Sequence, residues 1–276
     1  MTWPTGEAVS STSRERSREA GRVREADPDS ERIARLAELI REAGSVVALT
    51  GAGISVPSGI PDFRSPGTGI WENVDPMEVA HIDAFRSDPA RFWSFYGRRF
   101  ASLRDKRPNG AHAALVELER RDLLDAVVTQ NIDQLHRKAG TEELIEVHGT
   151  IATSSCLDCG ARFELDEVRD RLDADSDGVP RCECGEPLKP DVVLFGEMLP
   201  EDALQRAQRL TIDADLLLCV GSSLEVYPVA QLPSIALQTG ATVAIVTQGP
   251  TPYDADAAVK LDGDVEAELQ ALVAAL

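Results

Sequence analysis

Four of the five cysteines stand in two close pairs, Cys156-x-x-Cys159 and Cys182-x-Cys184, with 22 residues between the pairs. A Cys-x-x-Cys turn brings two thiolates together at the angle that tetrahedral zinc requires, and a second pair completes a closed site. The intervening segment is acidic and poor in apolar residues, so a metal ion would help it to fold. Because all four ligands are cysteines, we expect one structural Zn²⁺. Free surface thiols are the alternative interpretation.

Polar side chains that could act in catalysis follow two short apolar runs. His148 comes after residues 144–147, and its imidazole titrates near neutrality, as a general base must. Asn131 and Asp133 come after residues 126–129. Functional residues of α/β proteins gather at the carboxyl ends of strands, so a shared site is expected there. A structural histidine and a capped turn that opens a helix at Asp133 are the alternatives.

A glycine-rich loop follows a third apolar run, residues 46–50. Glycines at the end of a strand let the backbone approach a phosphate, and the amino end of the next helix offers N–H groups. The third glycine of the dinucleotide fingerprint is out of register, since Val56 holds its place and the next glycine is Gly59. The loop therefore predicts either a nucleotide site or only a tight turn.

Amphipathic helical stretches alternate with these runs. The predicted strands are 46–50, 126–129, 216–220 and 243–246; the predicted helices are about 30–43, 111–121, 201–210, 229–239 and 264–276. This alternation predicts a Rossmann-like α/β fold, a parallel sheet with helices on both faces. Residues 57–109 and 156–190 interrupt the alternation, and residues 1–28 have the composition of a disordered tail.

Composition limits the partners. No apolar run is long enough for a membrane span and no secretory signal is visible, so the cytoplasm is the expected location. The net charge of −19, with only four lysines among 28 basic residues, would repel nucleic acid and anionic membranes. The surface suits either an ordinary acidic protein or one adapted to a salt-rich cytoplasm.

Five sequence blocks together resemble one family. The blocks are Gly51-Ala52-Gly53-Ile54-Ser55 continuing to Pro61-Asp62-Phe63-Arg64, Thr129-Gln130-Asn131-Ile132-Asp133-Gln134-Leu135-His136, Val147-His148-Gly149, Pro190 to Glu197, and Gly221 to Pro228. In this order they resemble the sirtuins over residues 31–276. The resemblance implies a catalytic domain over 29–276, with a Rossmann-like part (29–65, 110–150 and 191–276), a helical excursion (66–109) and a zinc module (151–190).

The resemblance implies an enzyme that uses NAD as a co-substrate to remove acyl groups from protein lysines. Nicotinamide and O-acyl-ADP-ribose would be released, with His148 as the general base and Asn131 orienting the ribose and a water. Phe63 would shield the reactive ribose. Mono-ADP-ribosyl transfer to protein is the alternative enzyme activity. A zinc-ribbon binding module and a redox dehydrogenase fit the blocks less well.

The remaining site residues are also implied by the resemblance. The expected NAD contacts are Gly51, Ala52, Gly53, Ile54, Ser55, Asp62, Phe63, Arg64, Gln130, Asn131, Ile132, Asp133, Gly221, Ser222, Ser223 and Thr247. Ser222 replaces the family's usual threonine. Thr247 stands where the family usually offers an asparagine to the adenosine ribose.

The acylated lysine should arrive on a peptide that adds as a strand between residues 193–197 and 221–227, with contacts from Val193, Phe195, Gly196 and Glu225. Tyr96 and Arg99 are three residues apart on a predicted helix, and this pair resembles that of sirtuins that remove succinyl and malonyl groups. A guanidinium can bind a carboxylate through two hydrogen bonds. An exposed, ion-paired helix face is the alternative. We therefore expect deacetylation together with desuccinylation.

Overall fold

The computed structural model describes residues 28–62 and 74–276. A parallel sheet lies at its centre, and its strands are β1 (Val46–Thr50), β2 (Ala126–Thr129), β3 (Leu144–Glu146), β7 (Leu216–Val220), β8 (Thr242–Val246) and β9 (Val259–Leu261). Their order is β3-β2-β1-β7-β8-β9. This confirms the predicted fold class. The 144–147 run joins the sheet as β3, and β9 was not predicted because three residues carry too little pattern.

Strand β1 shows why these runs form a buried sheet. Its five residues are apolar or β-branched and all are buried. Val46 and Ala48 belong to the core on one face, and Val47 and Leu49 belong to the core on the other. Side chains alternate between the faces of a strand, so a strand that is covered on both sides needs an unbroken apolar run.

Helices cover both faces. In chain order they are α1 (Pro28–Glu42), α2 (Pro76–Val79), α3 (Ile82–Ser87), α4 (Pro89–Arg104), α5 (Gly110–Arg120), α6 (Leu135–Ala139), α7 (Leu165–Ala174), α8 (Glu201–Asp213), α9 (Leu232–Thr239) and α10 (Val265–Ala275). Helices α1, α5 and α10 pack on one face, and α8 and α9 pack on the other. The helix predicted at 229–239 divides into a 3₁₀ turn, Val229–Gln231, and α9. No helix among the described residues is both long and apolar enough to span a membrane.

A second sheet forms the smaller module. Its antiparallel strands are β4 (Gly149–Cys156), β5 (Arg162–Glu164) and β6 (Leu188–Val192), in the order β5-β4-β6. A third core joins this sheet to α4 and α7, with Trp93, Ile151 and Leu188 among its buried residues. The sequence did not predict these strands, because two of them are short and their polar residues hide the alternation.

The order of the strands creates a topological switch beside β1. The chain moves from β1 through β2 to β3 on one side, and then returns to place β7 on the other side of β1. The segments that follow β1 and β7 pack on opposite faces of the sheet, since Ile54 belongs to one core and Val229 to the other. Ligands of open α/β sheets bind in the crevice at such a switch, at the carboxyl ends of the strands.

Candidate active site

Glycines bring the loops after β1 and β7 into backbone contact. The N–H of Gly53 donates to the carbonyl of Gly221 (2.8 Å), and the N–H of Gly51 donates to the carbonyl of Val220 (3.0 Å). A Cβ on Gly53 would lie 2.8 Å from the Cα and O of Gly221, and a Cβ on Gly51 would lie 2.8 Å from that of Ser222. Gly221 itself has φ +61°. Gly51 and Gly53 are therefore required because any side chain there would clash with the loop after β7, whether or not the site binds a ligand.

The chain after Gly51 forms a 3₁₀ helix, Ala52–Ser58, and hydrogen bonds from Asn109 hold it in place. The side-chain amide of Asn109 donates to the carbonyl of Ile54 (2.8 Å) and to Ser58 Oγ (2.9 Å). Asn109 also caps α5 through its Oδ1. One residue thus fixes the start of a core helix and the glycine loop together, a role that the sequence analysis did not assign.

Polar side chains after β2 point into the same crevice. Asn131 Nδ2 donates to the carbonyl of Gly51 (3.1 Å) and to Ser55 Oγ (3.2 Å), and Ser55 Oγ donates to Asp133 Oδ2 (2.6 Å). Gln130 Nε2 donates to Ser222 Oγ (2.9 Å). The structure thus brings together residues of three loops that the sequence analysis grouped as NAD contacts. The N–H of Leu135 donates to Asp133 Oδ1 (2.8 Å), so this aspartate also caps a turn.

Burial favours the neutral form of the Asp133 carboxyl group. Removal of the carboxylate from water raises its pKa, while the hydrogen bonds from Ser55 and from the N–H of Leu135 oppose that rise. The carboxyl group can therefore serve as a hydrogen-bonding group at the floor of the crevice.

His148 is held in one tautomer. Its Nδ1 lies 3.0 Å from the carbonyl oxygen of Gln130, and since a carbonyl can only accept, Nδ1 carries the proton. The lone pair is then on Nε2. Burial lowers the pKa of His148, and the hydrogen bond to Gln130 partly opposes this shift. The side chain is therefore a neutral base near pH 7.

The other expected NAD contacts differ in burial. Ile54 and Ser222 are buried, Thr247 is 8% exposed at the end of β8, and Ala52, Ile132, Ser223 and Asp62 are half-buried. Phe63 and Arg64 lie outside the described residues.

The expected peptide segment, 193–197, is partly engaged. Phe195 donates its N–H to the carbonyl of Ala80 (2.8 Å) and accepts from the N–H of Ile82 (3.0 Å), while its side chain is exposed. The N–H of Val193 donates to the carbonyl of His148 (2.9 Å). An added strand must therefore bond to other backbone groups of this segment. Glu225, on the facing loop, is exposed.

A buried lysine, to which no sequence motif points, holds that segment against the small module. Lys189, in β6, is 7% exposed, donates to the carbonyls of Pro190 (3.0 Å) and Val192 (2.8 Å), and pairs with Glu197 (3.0 Å). Glu197 also accepts from the N–H of Leu194 (2.9 Å). The scarcity of lysine in this chain was the only hint in the sequence.

Tyr96 and Arg99 lie on α4 and both contact Phe95, because the rings of Tyr96 and Phe95 meet edge to face with centroids 4.8 Å apart. Tyr96 stacks on Phe100, with ring centroids 5.3 Å apart, and burial raises the pKa of its hydroxyl. Arg99 is exposed, lies 3.7 Å over the ring of Phe95 and donates to the Phe95 carbonyl (2.7 Å). The two side chains do not share a hydrogen-bonded partner among the described residues.

The four paired cysteines converge in the small module. Their sulfur atoms all lie within 4.8 Å of one another. Cys156 and Cys184 are 3.5 Å apart, Cys159 and Cys182 3.4 Å, and Cys159 and Cys184 3.7 Å. Zinc bonds of about 2.3 Å in a tetrahedron place the sulfurs about 3.8 Å apart, so this cluster fits one Zn²⁺. The predicted ligand set is thus assembled, and Cys219 is buried elsewhere, in β7.

Comparison with known proteins identifies the family. The Sir2 family model matches residues 51–228. An NAD-dependent protein deacetylase of Haloarcula marismortui is 46% identical over 251 residues, which cover 90% of this chain and 95% of the relative. An NAD-dependent protein deacylase of Thermus thermophilus is 44% identical, over 80% of this chain and 86% of its own. The chain belongs to the Sir2 family, the sirtuins.

Solved Sir2 structures share the fold. One, with a deacetylated p53 peptide and 3′-O-acetyl ADP ribose, has a TM-score of 0.84 and 39% identity and covers 88% of this chain and 97% of its own. Another, bound to a propionylated peptide, has a TM-score of 0.79 and 39% identity, over 86% of this chain and 95% of its own. The sequence resemblance and the predicted α/β fold are both confirmed.

Removal of one thiolate should release the metal. We expect one zinc per chain in the purified protein, and a Cys156→Ser variant with little zinc and a melting temperature lower by roughly 5 °C or more. Elemental analysis and thermal unfolding measure both. Cys219→Ala is the matched control, since this thiol lies outside the cluster. A full zinc content in Cys156→Ser would contradict the assignment of this ligand.

A methyl group at Gly53 should separate the two loops. Gly53→Ala forces the backbone of Gly221 away, at a cost of about 2 kcal/mol in unfolding free energy and roughly 4–8 °C in melting temperature. Affinity for NAD, measured by calorimetry, should fall about tenfold or more. Gly240→Ala also strains the backbone, because Gly240 has φ +92°, but it follows α9 away from the glycine loop and should keep the wild-type affinity. Equal NAD affinity in the two variants would mean that the contact does not shape the site.

Proposed function

We propose that this chain removes acyl groups from lysines of acylated proteins, with NAD consumed as a co-substrate. The observation that carries the proposal is the hydrogen bond between His148 Nδ1 and the carbonyl of Gln130. The next residue, Asn131, itself bonds to the Gly51 carbonyl of the glycine loop. Relatives named as NAD-dependent deacetylases and deacylases, at about the same identity, support the same activity.

The proposed reaction makes three bonds in turn. The acyl oxygen of the modified lysine attacks the anomeric carbon of the ribose, and nicotinamide leaves. His148 Nε2 then takes a proton from the ribose hydroxyls, and the 2′-oxygen attacks the imidate carbon. Water releases free lysine and O-acyl-ADP-ribose. Asn131 would orient the ribose and a water, Gln130 would bond the ribose, and Asp133 would secure the nicotinamide pocket.

The proposed division of the chain follows the same blocks. The Rossmann-like part (29–65, 110–150 and 191–276) would bind NAD, and the zinc module (151–190) would support the peptide segment through Lys189. A cytoplasmic location is supported by thiols that are set for a metal rather than for disulfides. The charge of −19 supports a protein adapted to salt, without nucleic-acid or membrane partners, so assays should include molar KCl.

Removal of the base should abolish the reaction. With NAD and an acetyl-lysine peptide, wild type should yield nicotinamide, free lysine and O-acyl-ADP-ribose in equal amounts, as followed by mass spectrometry. His148→Ala should lower the rate by at least about 10²-fold. If peptides stay acetylated while protein gains ADP-ribose mass, mono-ADP-ribosyl transfer is the activity and the proposal is wrong.

The fall of kcat/KM on the acid side of the pH profile should occur below pH 6.5. His148 acts in its neutral form, and burial lowers its pKa below the ordinary value of about 6.5. The neutral fraction is therefore retained as pH falls through 6.5 and is lost only at lower pH. The ratio kcat/KM, measured from pH 5 to 8, should be flat above about 6.5. An acid limb at or above this value would contradict a desolvated base.

We propose that the acyl pocket also accepts succinyl and malonyl groups. Arg99 would leave the ring of Phe95 to bind the acyl carboxylate. The Tyr96 hydroxyl would donate a second bond, since a phenol is protonated at neutral pH and burial raises its pKa further. The cation–π contact that is given up is worth only about 0.5–1 kcal/mol at an exposed site.

Loss of the guanidinium should discriminate between acyl groups. Arg99→Met should lower kcat/KM for a succinyl-lysine peptide about 10–100-fold, because hydrogen bonds to a charged group contribute about 1.5–3 kcal/mol. The value for an acetyl-lysine peptide of the same sequence should change less than about threefold. Arg104→Met, on the same helix and paired with Asp166, is the control. An equal loss of kcat/KM for both peptides would contradict binding of the acyl carboxylate by Arg99.

A further inference from the structure

Two of the chain's four histidines form a buried pair behind the site. His112 in α5 is 0% exposed and His136 in α6 is 2% exposed, and their ring centroids are 4.8 Å apart. Neither side chain reaches the crevice where the reaction is proposed. Buried imidazoles are costly unless their nitrogens are hydrogen-bonded, so the partners of this pair need an explanation.

Hydrogen bonds lead from His136 to the backbone of Asn131. Thr50 Oγ1 donates to Thr129 Oγ1 (2.8 Å), and Thr129 Oγ1 also accepts from the N–H of Asn131 (3.1 Å). His136 Nε2 lies 2.9 Å from Thr50 Oγ1. Because the Thr50 proton is directed at Thr129, Thr50 can only accept from His136. The proton of His136 is therefore on Nε2, and its Nδ1 carries a lone pair.

The other histidine is oriented by the capping box of α5. The N–H of Asn109 donates to His112 Nδ1 (3.5 Å), so the proton of His112 is on Nε2. Among residues 28–62 and 74–276, His112 Nε2 and His136 Nδ1 have no hydrogen-bond partner. His112 Nε2–H is a donor and His136 Nδ1 is an acceptor, and the two rings are neighbours.

We propose that one buried water accepts from His112 Nε2–H and donates to His136 Nδ1, and that this water completes a relay from the cap of α5 to Asn131. The donors point one way from Asn109 through His112, His136 and Thr50 to Thr129, and the N–H of Asn131 donates to the same Thr129 oxygen from the other side. His112 and His136 are then positioning residues that fix the backbone of Asn131. The kinetic part of this inference rests on the proposed function.

The surroundings keep both rings neutral, as the relay requires. Burial lowers the pKa of His112 to about 4. Burial, together with the neighbouring His112, lowers the pKa of His136 to about 3. A second proton on either ring would remove the acceptor that the adjacent donor needs.

Nitrogen-15 NMR of the histidine rings tests the relay without any activity measurement. The full chain has only four histidines, and His112→Gln and His136→Gln variants assign the two signals. Both rings should be neutral Nε2–H tautomers throughout pH 5.5 to 8, whereas His148 should be the Nδ1–H tautomer. An Nδ1–H tautomer at either buried ring, or titration of either in this range, would overturn the relay.

Kinetics of two variants then test positioning. His136→Leu removes the donor to Thr50, whereas the amide of His136→Gln can replace Nε2–H. We expect His136→Leu to lower kcat about tenfold with the KM for acyl-peptide within twofold, and His136→Gln to recover most of kcat. Equal losses in both, or a lower melting temperature with unchanged kcat, would refute a positioning role.

The NMR and kinetic experiments distinguish failure of the relay from failure of the proposed function. If the tautomers are as stated but no acyl group is removed from any peptide, the proposed function fails and the relay stands. If deacylation proceeds while either ring has the wrong tautomer, the relay fails alone. The wild-type NMR spectrum tests the two tautomers even if His136→Leu does not fold.

Discussion

The contact between the backbones of Gly53 and Gly221 is the constraint on which the rest of the site depends. Two loops from neighbouring strands meet through a backbone hydrogen bond of 2.8 Å, and a Cβ on Gly53 would clash with Gly221 at 2.8 Å. Because the loops cross there, Asn131 can bond to the Gly51 carbonyl and Gln130 can reach Ser222. The site is thus assembled by main-chain geometry first, and its side chains are held by bonds to that main chain.

Two supports outside the crevice keep this geometry in place. Asn109 joins the glycine loop to the cap of α5, and the lysine at position 189 joins the peptide segment to the sheet of the zinc module. A break in a buried charged pair leaves an uncompensated charge, which is far more costly than the loss of a surface pair. Strand β6 thus links the sheet that carries the cysteine cluster to residues 193–197, which we propose as the peptide segment.

The sequence predicted the elements whose patterns are strong. Strands such as Val46–Thr50 are unbroken apolar runs, and the cysteine pairs carry a spacing that few other sites need. Strand β9 and the antiparallel sheet were missed because short, polar strands are specified by their neighbours rather than by their own residues. The paired roles of His112 and His136 were missed for a similar reason: they depend on two helices that are brought together only by folding.

An isotope experiment tests whether the reaction proceeds through the ribose of NAD. In the proposed reaction the amide oxygen stays on the anomeric carbon, and water supplies a new oxygen to the acyl carbon. A single turnover with an acetyl-lysine peptide in H₂¹⁸O should therefore give O-acyl-ADP-ribose with one ¹⁸O in its acyl group, and one nicotinamide for each lysine freed. Labelled free acetate without release of nicotinamide would show direct hydrolysis of the amide and would contradict the account.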